Sequence, residues 1–221
     1  MFKNKPVIGI LATSNYLLTD DSFKDTYRYG NNYIKRIVDN GGIPLLIPYY
    51  DNKVIKDSLE LCDGLLLPGG EKVLEVAFEV IDYFYKNNKP ILGICLGMQT
   101  LGMYSIREKR ILKKIESNIN HRVNENIRDE HYLVHDVYIE NDSKIYDIFN
   151  SDKLLVNSIH NYCISEVGKE FRASCKSEDG VIEGIEALNK EFVIGIQWHP
   201  EVLNQFNILF EKFVIECGKR V

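Results

Sequence analysis

Cys95 is the residue on which a reaction is most readily built. It lies in PILGICLGMQTL (90–101), where an apolar run passes directly into G-I-C-L-G and then into a helical pattern. A nucleophile at such a strand-to-helix corner is held in a strained conformation. Small residues two positions before and after it, here Gly93 and Gly97, leave room for the tight backbone. A helix N-terminus favours thiolate over thiol. The N–H of Leu96 points to where an oxyanion would form on an attacked carbonyl. A lone G-x-C-x-G is equally compatible with a buried, inert cysteine.

A thiolate nucleophile needs a base. His199 follows 104 residues later in VIGIQWHPE, directly after an apolar strand. The C-terminal ends of strands in an open α/β sheet converge on one crevice, so Cys95 and His199 can meet there. Pro200 fixes the chain beyond the histidine, and Glu201 can hold the imidazole through its second nitrogen. Alone, H-P-E is a surface turn; paired with the cysteine corner it completes a Cys-His-Glu set.

The elements that must position these groups are legible as alternating patterns. Val7–Leu11, Ile43–Ile47, Gly64–Leu67 and Ile91–Ile94 are short apolar runs. Between them lie helical patterns over 26–40, with Tyr33, Ile34, Ile37 and Val38 on one face, over 54–61, and over Val73, Ala77, Val80 and Phe84. Such alternation indicates parallel βαβ units covered on both faces. Residues 107–128 form a polar excursion with one strand at 111–115. Beyond it, YLVHDVYI, KLLVN, EFRASC, VIEGIEA and FVIGIQ predict antiparallel or mixed, partly solvated strands. A last helix carries Phe206, Leu209, Phe210, Phe213, Val214 and Cys217 at spacings of three and four. The expectation is a mixed α/β sheet, parallel at its centre, in a single domain over 1–221.

Composition narrows the class. The 221 residues carry 27 basic and 32 acidic side chains, a formal net charge of −5, with 45% hydrophobic residues. That mild acidity offers no general attraction to nucleic acid or to anionic membranes. No apolar run approaches the ~20 residues that span a bilayer. The N-terminal VIGILA stretch is too short for a signal-peptide core and reads as a first buried strand. Cys62, Cys95, Cys163, Cys175 and Cys217 are odd in number and far apart, which argues against a disulfide scaffold or cysteine zinc site and fits a reducing cytoplasm. The four besides Cys95 are expected to be structural. His121, His131 and His135 show no metal spacing converging with a carboxylate and are expected at the surface, and no metal site is expected. Tyr27, Tyr29 and Tyr33 are expected to pack or face solvent. Tyr16 and residues 19–25 stand where a crevice rim could form.

GICLGMQ together with GIQWHPE resembles the class I glutamine amidotransferase superfamily. DGLLLPGG (63–70) looks like its oxyanion strand and loop, while VNSIH (156–160) and DGVIEGIE (179–186) are similar to its γ-glutamyl-γ-aminobutyrate hydrolase branch. The opening PVIGI, GGIPLLIP and LFEKFV match as well, so the resemblance covers nearly the whole chain. It implies a flavodoxin-like three-layer α/β sandwich with a central, mostly parallel sheet and an added antiparallel portion. It implies cleavage of a γ-glutamyl amide by Cys95, His199 and Glu201 through a γ-glutamyl thioester, with Gly69, Gly70 and Leu96 as oxyanion donors. Gln99, Asn157, Ser158 and His160 would line the substrate site, although a capping or turn role is open for the first three and a structural hydrogen-bonding role for His160. No cofactor is required. The partner is a small γ-glutamyl substrate, with neither nucleic acid nor membrane; a homodimer stays open. Three departures from the branch stand out: PGGEKVLEVAF after the loop, Leu96 where arginine is common, and His160-Asn161-Tyr162 in place of H-H-Q. They point to an altered substrate shell around a retained core. Two other readings share these residues: a glutaminase subunit feeding ammonia to a synthase partner, and a non-catalytic binder of a glutamate-like metabolite.

Overall fold

The computed structural model describes residues 5–12, 28–47, 52–122 and 132–219. Tyr16, residues 19–25, Tyr27 and His131 lie outside the described residues.

The strands are β1 (Val7–Leu11), β2 (Ile43–Ile47), β3 (Gly64–Leu67), β4 (Ile91–Ile94), β5 (Leu112–Lys114), β6 (His135–Ile139), β7 (Lys153–Val156), β8 (Tyr162–Ile164), β9 (Phe171–Ser177), β10 (Ile182–Ala187) and β11 (Val193–Ile196). Nine of them form one sheet in the order β2-β1-β3-β4-β11-β10-β9-β6-β7. From β2 to β11 every pairing is parallel; from β11 outward every pairing is antiparallel. β5 and β8 make a separate antiparallel pair.

The inner parallel strands β1, β3, β4 and β11 are apolar throughout because both faces are covered, while the edge strand β2 leaves Ile43 and Leu46 exposed. Ile8, Ile10, Leu66, Leu92 and Ile94 point into one core, and Leu11, Leu65, Leu67 and Ile91 into the other. Successive residues of a strand face opposite ways, so each short run feeds two layers at once. On the first face lie α1 (Asn31–Asp39) and α6 (Asn207–Gly218), which contribute Tyr33, Ile37, Phe210 and Phe213. On the second lie α2 (Asn52–Glu60), α3 (Ala77–Lys86) and α4 (Leu96–Ile106). The mixed, three-layer expectation holds, with a parallel half and an antiparallel extension.

Four details differ from the sequence expectation. The first helix starts at Asn31, after Gly30, and leaves Val38 exposed while Arg36 is buried. β10 is buried along its whole length, not half solvated, because strands flank it on both sides and helices pack over it. A short helix, α5 (Lys144–Phe149), intervenes between β6 and β7; Ser143 caps it by accepting a 3.0 Å hydrogen bond from the Tyr146 N–H. Helix α4 is buried around most of its circumference, since it packs beneath β8 as well as against the sheet.

Candidate active site

The β4–α4 corner is as tight as the sequence suggests. Cys95 has φ 52° and ψ −107°, a region a side chain rarely adopts. A Cβ at Gly97 would stand 2.1 Å from the carbonyl oxygen of Leu67, and one at Gly93 would stand 2.7 Å from the backbone of Gly97. Both glycines are therefore demanded by close approach of backbone to backbone. The corner lifts a buried thiol to the mouth of the helix while the strand beneath stays hydrogen-bonded, with the Cys95 N–H donating to Ile196.

His199 reaches this point from the end of β11, the strand paired parallel to β4. Its ring stands beside Cys95, both packed close against Gly69, and its Nδ1 lies 2.7 Å from Glu201 Oε1. Burial works against the imidazolium, yet the nearby charges and polar groups of Glu201 and Cys95 outweigh it. The His199 pKa is held well above its ordinary value. Asn157 fixes the backbone of the same residue: its Nδ2 donates to the His199 carbonyl (3.0 Å) and its Oδ1 accepts from the His199 N–H (2.9 Å). Arg36 donates from Nε to the Glu201 carbonyl at 3.0 Å, anchoring the following turn to α1.

Tyr33 belongs to this assembly, although its place on an apolar helix face reads as packing. Its hydroxyl accepts from the Gly69 N–H at 3.0 Å. Burial and the nearby Glu201 charge push the phenol pKa well above its usual value, so the group stays protonated. Gly69 is pressed against the site: a Cβ there would meet His199 Cε1 at 2.9 Å and the Tyr33 hydroxyl at 3.0 Å. The Gly69 N–H is thus engaged by Tyr33.

A cavity of about 390 Å³ opens in front of Cys95. Gly70, Leu96, Gln99 and His160 line it, as do Glu71 and Arg122. Asn157 and Ser158 are not among its lining residues. Asn157 stands behind His199, and Ser158 Oγ donates to the His121 carbonyl at 2.8 Å. Gln99 Nε2 donates to the Tyr162 carbonyl (2.7 Å) and to Gln197 Oε1 (3.1 Å), so its amide braces the cavity wall.

The expectation for the histidines needs correction. His121 and His135 are buried, at 4% and 7% exposure, and converge with His160 and Glu183. Their sequence separation hides this, because the antiparallel half of the sheet brings together residues as far apart as 121 and 183. The other four cysteines are free, as expected, and Cys62, Cys175 and Cys217 are buried. Among the described residues no helix is long and apolar enough to cross a membrane.

The fold and this corner define a glutamine amidotransferase-like class. A GMP synthase component from Thermoplasma acidophilum superposes with a TM-score of 0.70 over 98% of this chain and 96% of that one, at 18% identity. The glutaminase domain of a Trypanosoma brucei CTPS does so at 0.69 over 97% and 94%, at 15% identity. More narrowly, residues 6–79 and 74–201 match the Peptidase C26 model, and the chain belongs to that family. A glutamine amidotransferase-like protein of Rickettsia prowazekii is 31% identical, covering 96% of both chains. The γ-glutamyl-γ-aminobutyrate hydrolase of Escherichia coli is 25% identical, covering 99% of this chain and 96% of that one.

Proposed function

We propose that the protein is a cysteine hydrolase that cleaves the γ-glutamyl amide of a small γ-glutamyl amine, releasing glutamate and the amine. The observation that carries this reading is the convergence of Cys95, His199 and Glu201 beside a cavity lined by both Arg122 and Glu71. A γ-glutamyl group ends in an α-carboxylate and an α-ammonium. A cation and an anion lining the same cavity suit those two charges. Likeness to the Escherichia coli hydrolase over the whole chain supports the same substrate class.

In this mechanism Cys95, as thiolate, attacks the δ-carbonyl carbon. The C=O π pair moves onto oxygen, where the N–H groups of Leu96 and Gly70 receive it. Gly69 serves by holding Tyr33 rather than by donating to the oxyanion. One such donor contributes roughly 3 kcal/mol to the transition state. Collapse of the intermediate breaks the C–N bond as imidazolium His199 protonates the departing amine. Neutral His199 then takes a proton from water, the water oxygen attacks the thioester carbonyl, and glutamate leaves as the Cys95 thiolate is restored. Glu201 keeps the ring oriented and favours its charged form.

The test is a panel of γ-glutamyl amines and glutamine, with released glutamate measured for wild type and Cys95→Ala. Turnover of at least one γ-glutamyl amine is expected, with a loss of at least about 10⁴-fold in the variant. Turnover that needs an added synthase would favour the ammonia-supplying reading. Tight ligand binding without turnover, equal in both proteins, would leave a non-catalytic binder as the better account.

A further inference from the structure

We propose that His121, His135, His160 and Glu183 form a closed, four-coordinate site for a divalent transition metal ion, with zinc the best match. The four side chains come from distant parts of the chain. His121 precedes the bridge between Arg122 and Ile159, His135 opens β6, His160 lies between β7 and β8, and Glu183 lies in β10. One ligating atom from each falls within 4.8 Å of all the others. His121 Nδ1, His160 Nε2 and His135 Nε2 stand 3.2, 3.5 and 3.8 Å from Glu183 Oε1. A tetrahedral ion with bonds of about 2.0–2.1 Å separates its ligands by about 3.3–3.4 Å, within about 0.5 Å of these three spacings to Glu183.

Hydrogen bonding supplies the second line of support. Each ring turns its other nitrogen toward an acceptor: His121 Nε2 lies 3.0 Å from Asp179 Oδ2, His135 Nδ1 3.2 Å from the Asp136 carbonyl, and His160 Nδ1 3.2 Å from the Tyr162 carbonyl. A neutral imidazole that donates outward presents a lone pair inward. The inward atoms His121 Nδ1, His135 Nε2 and His160 Nε2, and both Glu183 oxygens, have no hydrogen-bond partner of good geometry. All four side chains are at least nine-tenths buried. Three lone pairs and a carboxylate facing one another in a buried space are costly, and a cation at their centre resolves the conflict. Three imidazoles and one carboxylate suit zinc and its transition-metal neighbours, not calcium or magnesium. A second cavity of about 140 Å³, lined in part by Ser117, Asn120, His121 and His160, offers an entry path.

With four protein ligands the site is structural, leaving no open position for a reacting water. Its consequence for the cavity runs through His160. The Tyr162 carbonyl beside the His160 ring also receives Gln99 Nε2 at 2.7 Å. The ion would tie the excursion and the β7–β8 turn to β10, and so hold one wall of the cavity beside Cys95.

Metal analysis of the purified full-length protein, with cobalt(II) exchanged for the native ion, tests the assignment. About one ion per chain is expected, with the ligand-field spectrum of a four-coordinate nitrogen and oxygen site. Cys95→Ala should bind the ion as wild type does. His135→Ala and Glu183→Ala should weaken binding beyond the roughly 10–100-fold typical of outer-shell changes. Removing the ion from wild type by chelation should raise KM more than it lowers kcat. Folded wild type that takes up neither zinc nor cobalt overturns the proposal. So does a strong thiolate-to-cobalt absorption band, or an ion lost with Cys95 and kept without His135; either would place it at the nucleophile. The spectrum is read on wild type, so variants that fail to fold do not remove the test.

Discussion

The Cys95 corner and the histidine pocket lie on either side of one cavity, with His160 facing both. They differ in how their parts are assembled. Cys95 with its two glycines, and His199 with Pro200 and Glu201, are two contiguous strings at the ends of neighbouring parallel strands. The pocket draws single residues from four separate segments, two of them strands of the antiparallel half. A site made of compact strings advertises itself, because strain, glycine placement and side-chain order are all local. A site made of scattered residues carries no such mark.

Glu201→Gln should leave the fold intact and lower kcat by about 10²–10⁴-fold. It also removes a charge that raises the His199 pKa. Leaving-group protonation needs the imidazolium, so activity falls as pH rises through that pKa. The alkaline limb of the kcat profile should therefore move to lower pH in the variant. An unmoved limb would detach Glu201 from the histidine.

Gly97→Ala should act on stability and activity together. Its Cβ would strike the Leu67 carbonyl, backbone against backbone, at a cost of about 3 kcal/mol or more. Denaturant unfolding would measure it. A variant as stable as wild type would mean the corner can relax, and that its strain is not built in.

Ser158→Ala touches the other region. The His121 carbonyl would lose one of two donors and keep the His160 N–H at 2.8 Å. A loss of about 1 kcal/mol is expected, with kcat nearly unchanged. A fall in kcat as large as that for Glu201→Gln would show that the two regions act as one.

Asp82→Asn, remote from both, sets the lower bound. Hydrogen bonds and charge from Lys86, and bonds from Arg107 and Tyr104, hold the Asp82 pKa near about 2 against a residual burial penalty. A depressed carboxylate pKa stabilises the fold above its unfolded value near 4, and that contribution is lost as pH falls toward 2. The Asp82 side chain is a quarter exposed and its partners Lys86 and Arg107 are well exposed, so solvent screening leaves about 1 kcal/mol or less at stake. Unfolding of wild type and variant should converge at acidic pH; a constant gap would assign the effect to packing instead.

Much of the fold is legible in the sequence because the parallel strands are short and wholly apolar, several of them bounded by glycine or proline. The two-sided burial of the inner strands leaves a strong imprint on composition. The first helix looks longer in sequence than it is, because the polar residues before Asn31 fit a helical pattern that Gly30 ends. Helix α5 has six residues and one buried side chain, too little periodicity to detect. Tyr33 reads as core because its apolar ring does pack; only its hydroxyl, beside Glu201 and Gly69, has a role at the site. Asn157 and Ser158, expected to line the site, stand behind it, one clamping the His199 backbone and the other bracing His121.

Local sequence is enough to specify the corner at Cys95, the His-Pro-Glu turn and the parallel half that aligns them. Each of these depends on neighbours within a few residues and on strands that must be buried on both faces. Long-range packing sets which donors surround Cys95, that Tyr33 occupies the Gly69 N–H, and that three histidines and a glutamate meet beside the antiparallel strands. Those are matters of register between distant strands, and register is set by packing over the whole sheet rather than by any one segment.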